Sequence, residues 1–143
     1  MMQGKVALVT GANAGMGRVI ATELARQGAT VVLLCRDARN GEEARRAIVQ
    51  ETGNPAVDLL VADLASQQAV REAAGQFQAR YPRLHVLVNN AGAHIQRRQL
   101  SVDGIELNLA VNHLSAFLLT NLLLDRLTTG APARIVNVAS ASM

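Results

Sequence analysis

The sequence predicts an α/β protein, a parallel, doubly wound sheet covered by helices on both faces. Three observations carry that prediction. Short aliphatic runs alternate strictly with longer segments of helical periodicity along all 143 residues. The short runs are continuous rather than alternating, as in strands buried on both faces. A cluster of glycines separates the first run from the first helical segment, where the chain must leave a strand and enter a helix within a few residues.

The elements follow in order. Val6-Ala7-Leu8-Val9, bounded by Gly4 and Gly11, reads as the first buried strand. Val19, Ile20, Leu24 and Ala25 recur at helical spacing, and Gly28 stops that helix. Residues 30–34 form the second strand, and residues 40–50 a charged helix ending near Gly53-Asn54-Pro55. Residues 57–61 form the third strand. Ser66 is the N-cap candidate of a third helix whose inner face is Val70, Ala73, Ala74 and Phe77, and Tyr81-Pro82 ends it. Residues 86–88 form the fourth strand. A polar loop over residues 94–103 leads into one long helix over residues 107–127. Gly130-Ala131-Pro132 then turns the chain into a fifth strand, residues 134–138. Right-handed crossovers give the sheet order 3-2-1-4-5. The fully apolar fifth strand is left as an edge, where a complete sheet of this type has a sixth strand beside it. Residues 1–143 are expected to form a single domain, truncated after that strand.

Composition narrows the classes. Half of the residues are hydrophobic, with no Trp, one Tyr and two Phe, and a chain of this length buries roughly 68–70% of its unfolded surface. The net charge of +3 comes from 13 scattered arginines and a single Lys5 against 11 acidic residues. Only Arg45-Arg46 and Arg97-Arg98 are adjacent, and aromatic stacking groups are scarce, so the pattern argues against nucleic acid as a partner. The lone Cys35 excludes an internal disulfide framework and fits a reducing cytoplasm. No separate apolar leader segment opens the sequence. The most apolar stretch, residues 107–124, contains Asn108, Asn112, His113 and Asn121, so no membrane span is expected, and a soluble cytoplasmic protein is the expectation.

The glycine cluster reads Thr10-Gly11-Ala12-Asn13-Ala14-Gly15-Met16-Gly17-Arg18. Gly11 allows a tight exit from the strand, Gly15 lets backbone approach a pyrophosphate, and Gly17 allows close packing of the helix, whose N-terminal N–H groups attract the anion. No Lys-Ser or Lys-Thr pair follows, so this is not the triphosphate loop of the P-loop proteins. With a strand before it and a helix after it, the turn reads as the dinucleotide site of a Rossmann-type fold. Discrimination between dinucleotides falls at the end of the second strand, where an acidic residue would hold a free ribose 2′-OH. Here Cys35 is followed by Arg36, whose guanidinium can hold a 2′-phosphate, so NADP(H) is expected over NAD(H). Arg36 also has the simpler reading of a solvated surface charge. Asp37 reads as a helix cap and Cys35 as a small core residue.

At this point the sequence resembles the short-chain dehydrogenase/reductase family. The resemblance rests on Thr10-Gly-x3-Gly-x-Gly17, on Asp63-Leu64 after the third strand, and on Asn89-Asn90-Ala91-Gly92 after the fourth. Asp103-Gly104-x-Glu106 and Val111-Asn112-His113-Leu114-x-x-Phe117-Leu118-Leu119-Thr120 resemble its retinol-dehydrogenase-like subgroup. The resemblance implies that Thr10 steadies the turn and that the turn residues Gly11, Asn13, Ala14, Gly15, Met16 and Gly17 hold the dinucleotide. It further implies that Asp63, beside Leu64, accepts a bond from the adenine amino group, that Asn90 and Ala91 line the ribose, and that Gly92 also belongs to the cofactor site. Read without the family, Asp63 could instead start the next helix, and Asn89 and Asn90 could be turn formers.

The family transfers a hydride between nicotinamide and a carbonyl or alcohol carbon. A Tyr and a Lys four residues later handle the proton, a Ser orients the substrate oxygen, and an Asn holds a water. By resemblance Asn112 is that Asn and Ser140 that Ser; Ser142 is too late and reads as loop. Read alone, Asn112 could be a mid-helix amide bonded to local backbone. The only Tyr, Tyr81, has His85 at the fourth position after it, and the only Lys is Lys5, so no Tyr-x-x-x-Lys relation occurs in these residues. His113 reads as a packing position, and no metal site is expected. The sequence is thus expected to be the amino-terminal fragment of an NADP-dependent oxidoreductase acting on a small carbonyl or alcohol, inactive on its own. The alternatives are a non-catalytic dinucleotide-binding module or a partner that completes another chain's sheet. Residues 107–127 are apolar nearly all round, which predicts either self-association through that helix or its cover by further segments of the same chain.

Overall fold

The computed structural model describes residues 1–140. Five parallel strands form one sheet: β1 (Val6–Thr10), β2 (Thr30–Cys35), β3 (Val57–Val61), β4 (Val86–Asn89) and β5 (Arg134–Asn137), in the order β3-β2-β1-β4-β5. Between them run α1 (Gly15–Arg26), α2 (Ala38–Thr52), α3 (Gln67–Arg80) and a composite segment after β4.

Alternation along each strand explains why the apolar runs are continuous. Leu8, Val32, Leu34, Leu60 and Leu87 point to one face and pack with Val70 and Phe77 of α3 and with Leu119, Leu123 and Leu127 beyond β4. Val9, Val31, Leu33 and Val88 point to the other, against Ala21 and Ala25 of α1 and Ala44 and Ile48 of α2. Both faces of the central strands are covered, which favours apolar residues on either side. The buried stripe of α1 is Gly17, Ala21, Thr22 and Ala25, all small, which brings that helix close to the sheet, while Val19 points to solvent. Asp37 caps α2 by accepting from Asn40 N at 2.9 Å, and Ser66 caps α3 by accepting from Ala69 N at 3.2 Å.

Two expectations are corrected. The segment after β4 is not one regular helix. It consists of α4 (Leu107–Leu109), a wide π-type turn over Ala110–Leu114, α5 (Ser115–Leu122) and α6 (Leu124–Thr129), with a bend at Leu123 (φ −98°, ψ 6°). Such turns insert one extra residue into a helical ladder and concentrate at functional sites. The fifth strand ends at Asn137, one residue short of the expected end, although Val138 N still donates to Asn89 O at 3.0 Å. None of its four residues is buried, and Ile135 and Val136 stand exposed at the sheet edge. Leu109, Phe117 and Leu124 expose an apolar strip on the outside of the composite segment.

Candidate dinucleotide site

The strand order reverses between β1 and β4, and the carboxyl ends of the strands on either side of such a switch diverge to leave a crevice. A cavity of about 410 Å³ lies at those ends. Its turn is held from beneath by Thr10, whose Oγ1 accepts from Asn90 N at 3.0 Å and from Ala91 N at 2.9 Å. The Asn90 amide closes the other side, donating from Nδ2 to Thr10 O at 3.2 Å and to Gly11 O at 3.3 Å. The chain after β4 is therefore stitched to the chain after β1.

Each glycine has its own reason. Gly11 has φ +61°, and a Cβ there would come within 2.9 Å of Ala91 Cα. Gly17 approaches closest: a Cβ would sit 2.3 Å from both Asn90 Nδ2 and Gly11 O. Gly15 has φ +58° and nothing within 4 Å of a Cβ, so its backbone faces open space. Ala14 provides no side-chain cap to α1, as Leu114 and Leu123 provide none to α5 and α6, whereas Asp37, Ser66 and Glu106 cap α2, α3 and α4. The first N–H groups of α1 are left for an outside acceptor.

Of the expected cofactor residues, Gly11, Asn13, Ala14, Arg36, Asp63, Leu64, Asn90, Ala91 and Gly92 line the cavity together. Thr10 is buried behind them, Gly17 is packed under the turn, and Gly15 and Met16 lie outside the lining, with Met16 exposed. Asp63 Oδ1 accepts from Ala65 N at 3.0 Å, which makes it a turn former before α3 as well as a wall residue; the helix itself starts only at Gln67. Leu34, Ala62, Ala65, Ala93, Ile95, Leu107 and Val111 complete the lining and were not anticipated. The strand ends could have announced Leu34 and Ala62, but the loop residues carry no local pattern.

The loop wall is positioned by two asparagines. Asn112, inside the wide turn, accepts from Ala93 N and donates to Ala93 O, both at 2.7 Å. Asn108 treats Ile95 alike, at 2.9 Å in each direction. The amides thus stand in for a neighbouring strand. Neither Asn112 nor Ser140 lines the cavity; Ser140 is exposed, three residues past the end of β5. Ser142 lies outside the described residues. Tyr81 OH donates to Asp58 Oδ2 at 2.9 Å, and burial together with that carboxylate pushes its pKa up to about 12, the opposite of what a proton-transfer group requires. Cys35 is buried, and burial raises its thiol to about 11, so it is a core residue rather than a nucleophile.

A doubly wound parallel sheet with a glycine turn and an uncapped helix start at its switch point defines the dinucleotide-fold class of α/β proteins. The comparisons identify the branch. The family model described as short chain dehydrogenase matches residues 5–143. Retinol dehydrogenase 11 of Mus musculus is 48% identical over 139 residues, covering 97% of this chain and 44% of the relative. Dehydrogenase/reductase SDR family member 13 of Bos taurus is 48% identical over 141 residues, 99% of this chain and 37% of the relative. The crystal structure of a short chain dehydrogenase from Escherichia coli CFT073 complexed with NADPH superposes with a TM-score of 0.83 at 28% identity, covering 98% of this chain and 60% of that one. The chain belongs to the short-chain dehydrogenase family of oxidoreductases, and it spans less than half the length of the retinol dehydrogenases it matches. Among the described residues no helix is long and apolar enough to cross a membrane.

Proposed function

We propose that the chain is the dinucleotide-binding part of an NADP(H)-dependent oxidoreductase that interconverts a carbonyl and an alcohol. The observation that carries this is the meeting of Ala14, which leads into α1 without a side-chain cap, and the exposed Arg36 guanidinium at one cavity. The residues fit the group. Gly15 offers backbone with no side chain in the way, the α1 N–H groups suit a pyrophosphate, and Arg36 suits a 2′-phosphate. The resemblance to an NADPH-complexed relative supports the same reading.

In this reading, α1 and the glycine turn hold the pyrophosphate, Asn90 and Ala91 hold the ribose, and Asp63 reaches the adenine amino group. Nicotinamide, when bound, supplies or accepts the hydride. Asn112 is held by its two bonds to Ala93, and Ser140 is assigned the hydroxyl that orients a substrate oxygen. An unassisted serine is a poor base at neutral pH, so these two groups orient and relay rather than abstract the proton. The 143 residues contain no Tyr-x-x-x-Lys pair, and this polypeptide alone is expected to show no NADPH-dependent carbonyl reduction. The test is a titration of wild type and Arg36→Ala with NADPH and NADH. NADPH binding should weaken at least tenfold in the variant while NADH binding hardly changes. Equal behaviour of the two proteins toward both ligands rejects the assignment.

A further inference from the structure

Arg36 does not stand alone at the cavity. Its Nε lies 4.0 Å from Asp63 Oδ2, with both side chains largely exposed. The pair is set by the sheet: β2 and β3 align Cys35 with Val61, and Ala62 N donates to Cys35 O at 3.0 Å, so the two strand ends leave the sheet side by side. The Asp63 carboxylate is also oriented. Its Oδ1 accepts from Ala65 N, which leaves Oδ2 as the oxygen nearest Arg36.

We infer that Asp63 is a specificity-determining residue that opposes capture of a 2′-phosphate by Arg36. The inference rests on the NADP(H) reading above and gives Asp63 a task beyond the adenine contact. A carboxylate 4.0 Å from the guanidinium offsets part of the positive charge that attracts the phosphate. It also places a negative charge within reach of a group that is itself doubly negative. A ribose bearing only hydroxyls feels neither effect. Asp63 therefore holds down the preference that Arg36 creates, and the site discriminates by the balance of two neighbouring side chains. The effect is electrostatic and exposed to solvent, so salt screens it.

The test is calorimetric titration of wild type and Asp63→Asn with adenosine 2′,5′-bisphosphate and adenosine 5′-monophosphate. Asparagine keeps the shape and the oxygen that accepts from Ala65 N. The preference for the 2′-phosphorylated ligand should rise roughly three- to tenfold at low ionic strength, with most of that gain gone near 1 M salt. If Asp63→Asn weakens both ligands in the same proportion, Asp63 serves the adenine alone and the inference is overturned. Wild-type protein that binds neither ligand overturns the dinucleotide reading itself, and the inference with it.

Discussion

The glycine turn after β1 and the 93–95 segment after β4 border the same cavity, yet they are held in place by different means. The turn is tied by the Thr10 hydroxyl and the Asn90 amide and, beyond those bonds, is packed backbone against backbone: Gly17 lies against Gly11 O, and Gly11 lies against Ala91. The 93–95 segment is fixed by side chains from a distant helix, with Asn112 on Ala93 and Asn108 on Ile95. Backbone contact leaves no room for adjustment, so one methyl group should be ruinous there. Amide bonds at a partly exposed wall should fail more gently.

Gly17→Ala is the sharpest way to break that contrast. The added Cβ would meet Gly11 O at 2.3 Å, and backbone cannot swing aside as a side chain can. A loss of about 3 kcal/mol or more is expected in urea unfolding. A loss under 1 kcal/mol would mean that the turn has slack and that its rigidity does not come from contact.

Asn112→Ala probes the other wall. It removes two hydrogen bonds to Ala93, and each is worth about 1 kcal/mol, so a loss of about 2 kcal/mol is expected. Hydrogen exchange should accelerate at Ala93 N–H and leave Gly11 N–H, which donates to Leu34 O, as slow as before. Exchange that speeds equally at both sites would show that the two walls fail as one unit.

The same contrast explains what could be read in advance. The turn was legible because each glycine answers a steric demand that operates over a few residues. The strands were legible because both faces of the sheet are covered, which writes continuous apolar runs at Val6 to Val9 and Thr30 to Leu34. The long helix was misread because nothing in its local pattern marks the interruption at Ala110–Leu114. The resemblance singles out Asn112, but not its bonds to Ala93, 19 residues earlier. The inner-face residues of α3 were read correctly, whereas Val19 followed a helical period yet points to solvent, because α1 packs through its small residues. Ile95, Leu107 and Val111 reach the cavity through that same loop geometry, which no local pattern encodes.

Another side-chain tie, at the opposite end of the sheet, responds to pH. His85 Nδ1 accepts from Val6 N at 2.8 Å, replacing a strand bond where β1 begins. Burial, then the charges of Lys5 and Arg83, lower its pKa below the usual 6.5. The folded protein thus binds this proton less readily than the unfolded chain. The contribution to stability is complete above the unfolded value and is lost as pH falls from about 6.5 toward the folded value. The protonated ring can no longer accept from Val6 N, and that bond is worth about 1 kcal/mol. Unfolding curves at pH 7.5 and 5.5 should differ less in His85→Gln than in wild type; an unchanged difference assigns the pH dependence elsewhere.

Gly75→Ala carries the smallest effect and the opposite sign. Gly75 lies on the exposed side of α3, and a Cβ there meets nothing within 4 Å. No turn, close approach or left-handed backbone calls for glycine at this position, so it contributes only excess freedom to the unfolded chain. Alanine should stabilise the protein by roughly 0.5 kcal/mol, read as a higher urea midpoint with an unchanged slope. The same substitution is thus expected to help by a fraction of a kcal/mol in α3 and to harm severely in the turn. If Gly75→Ala destabilised instead, close backbone contact would not be what separates the two glycines, and the steric account of the turn would have to be replaced.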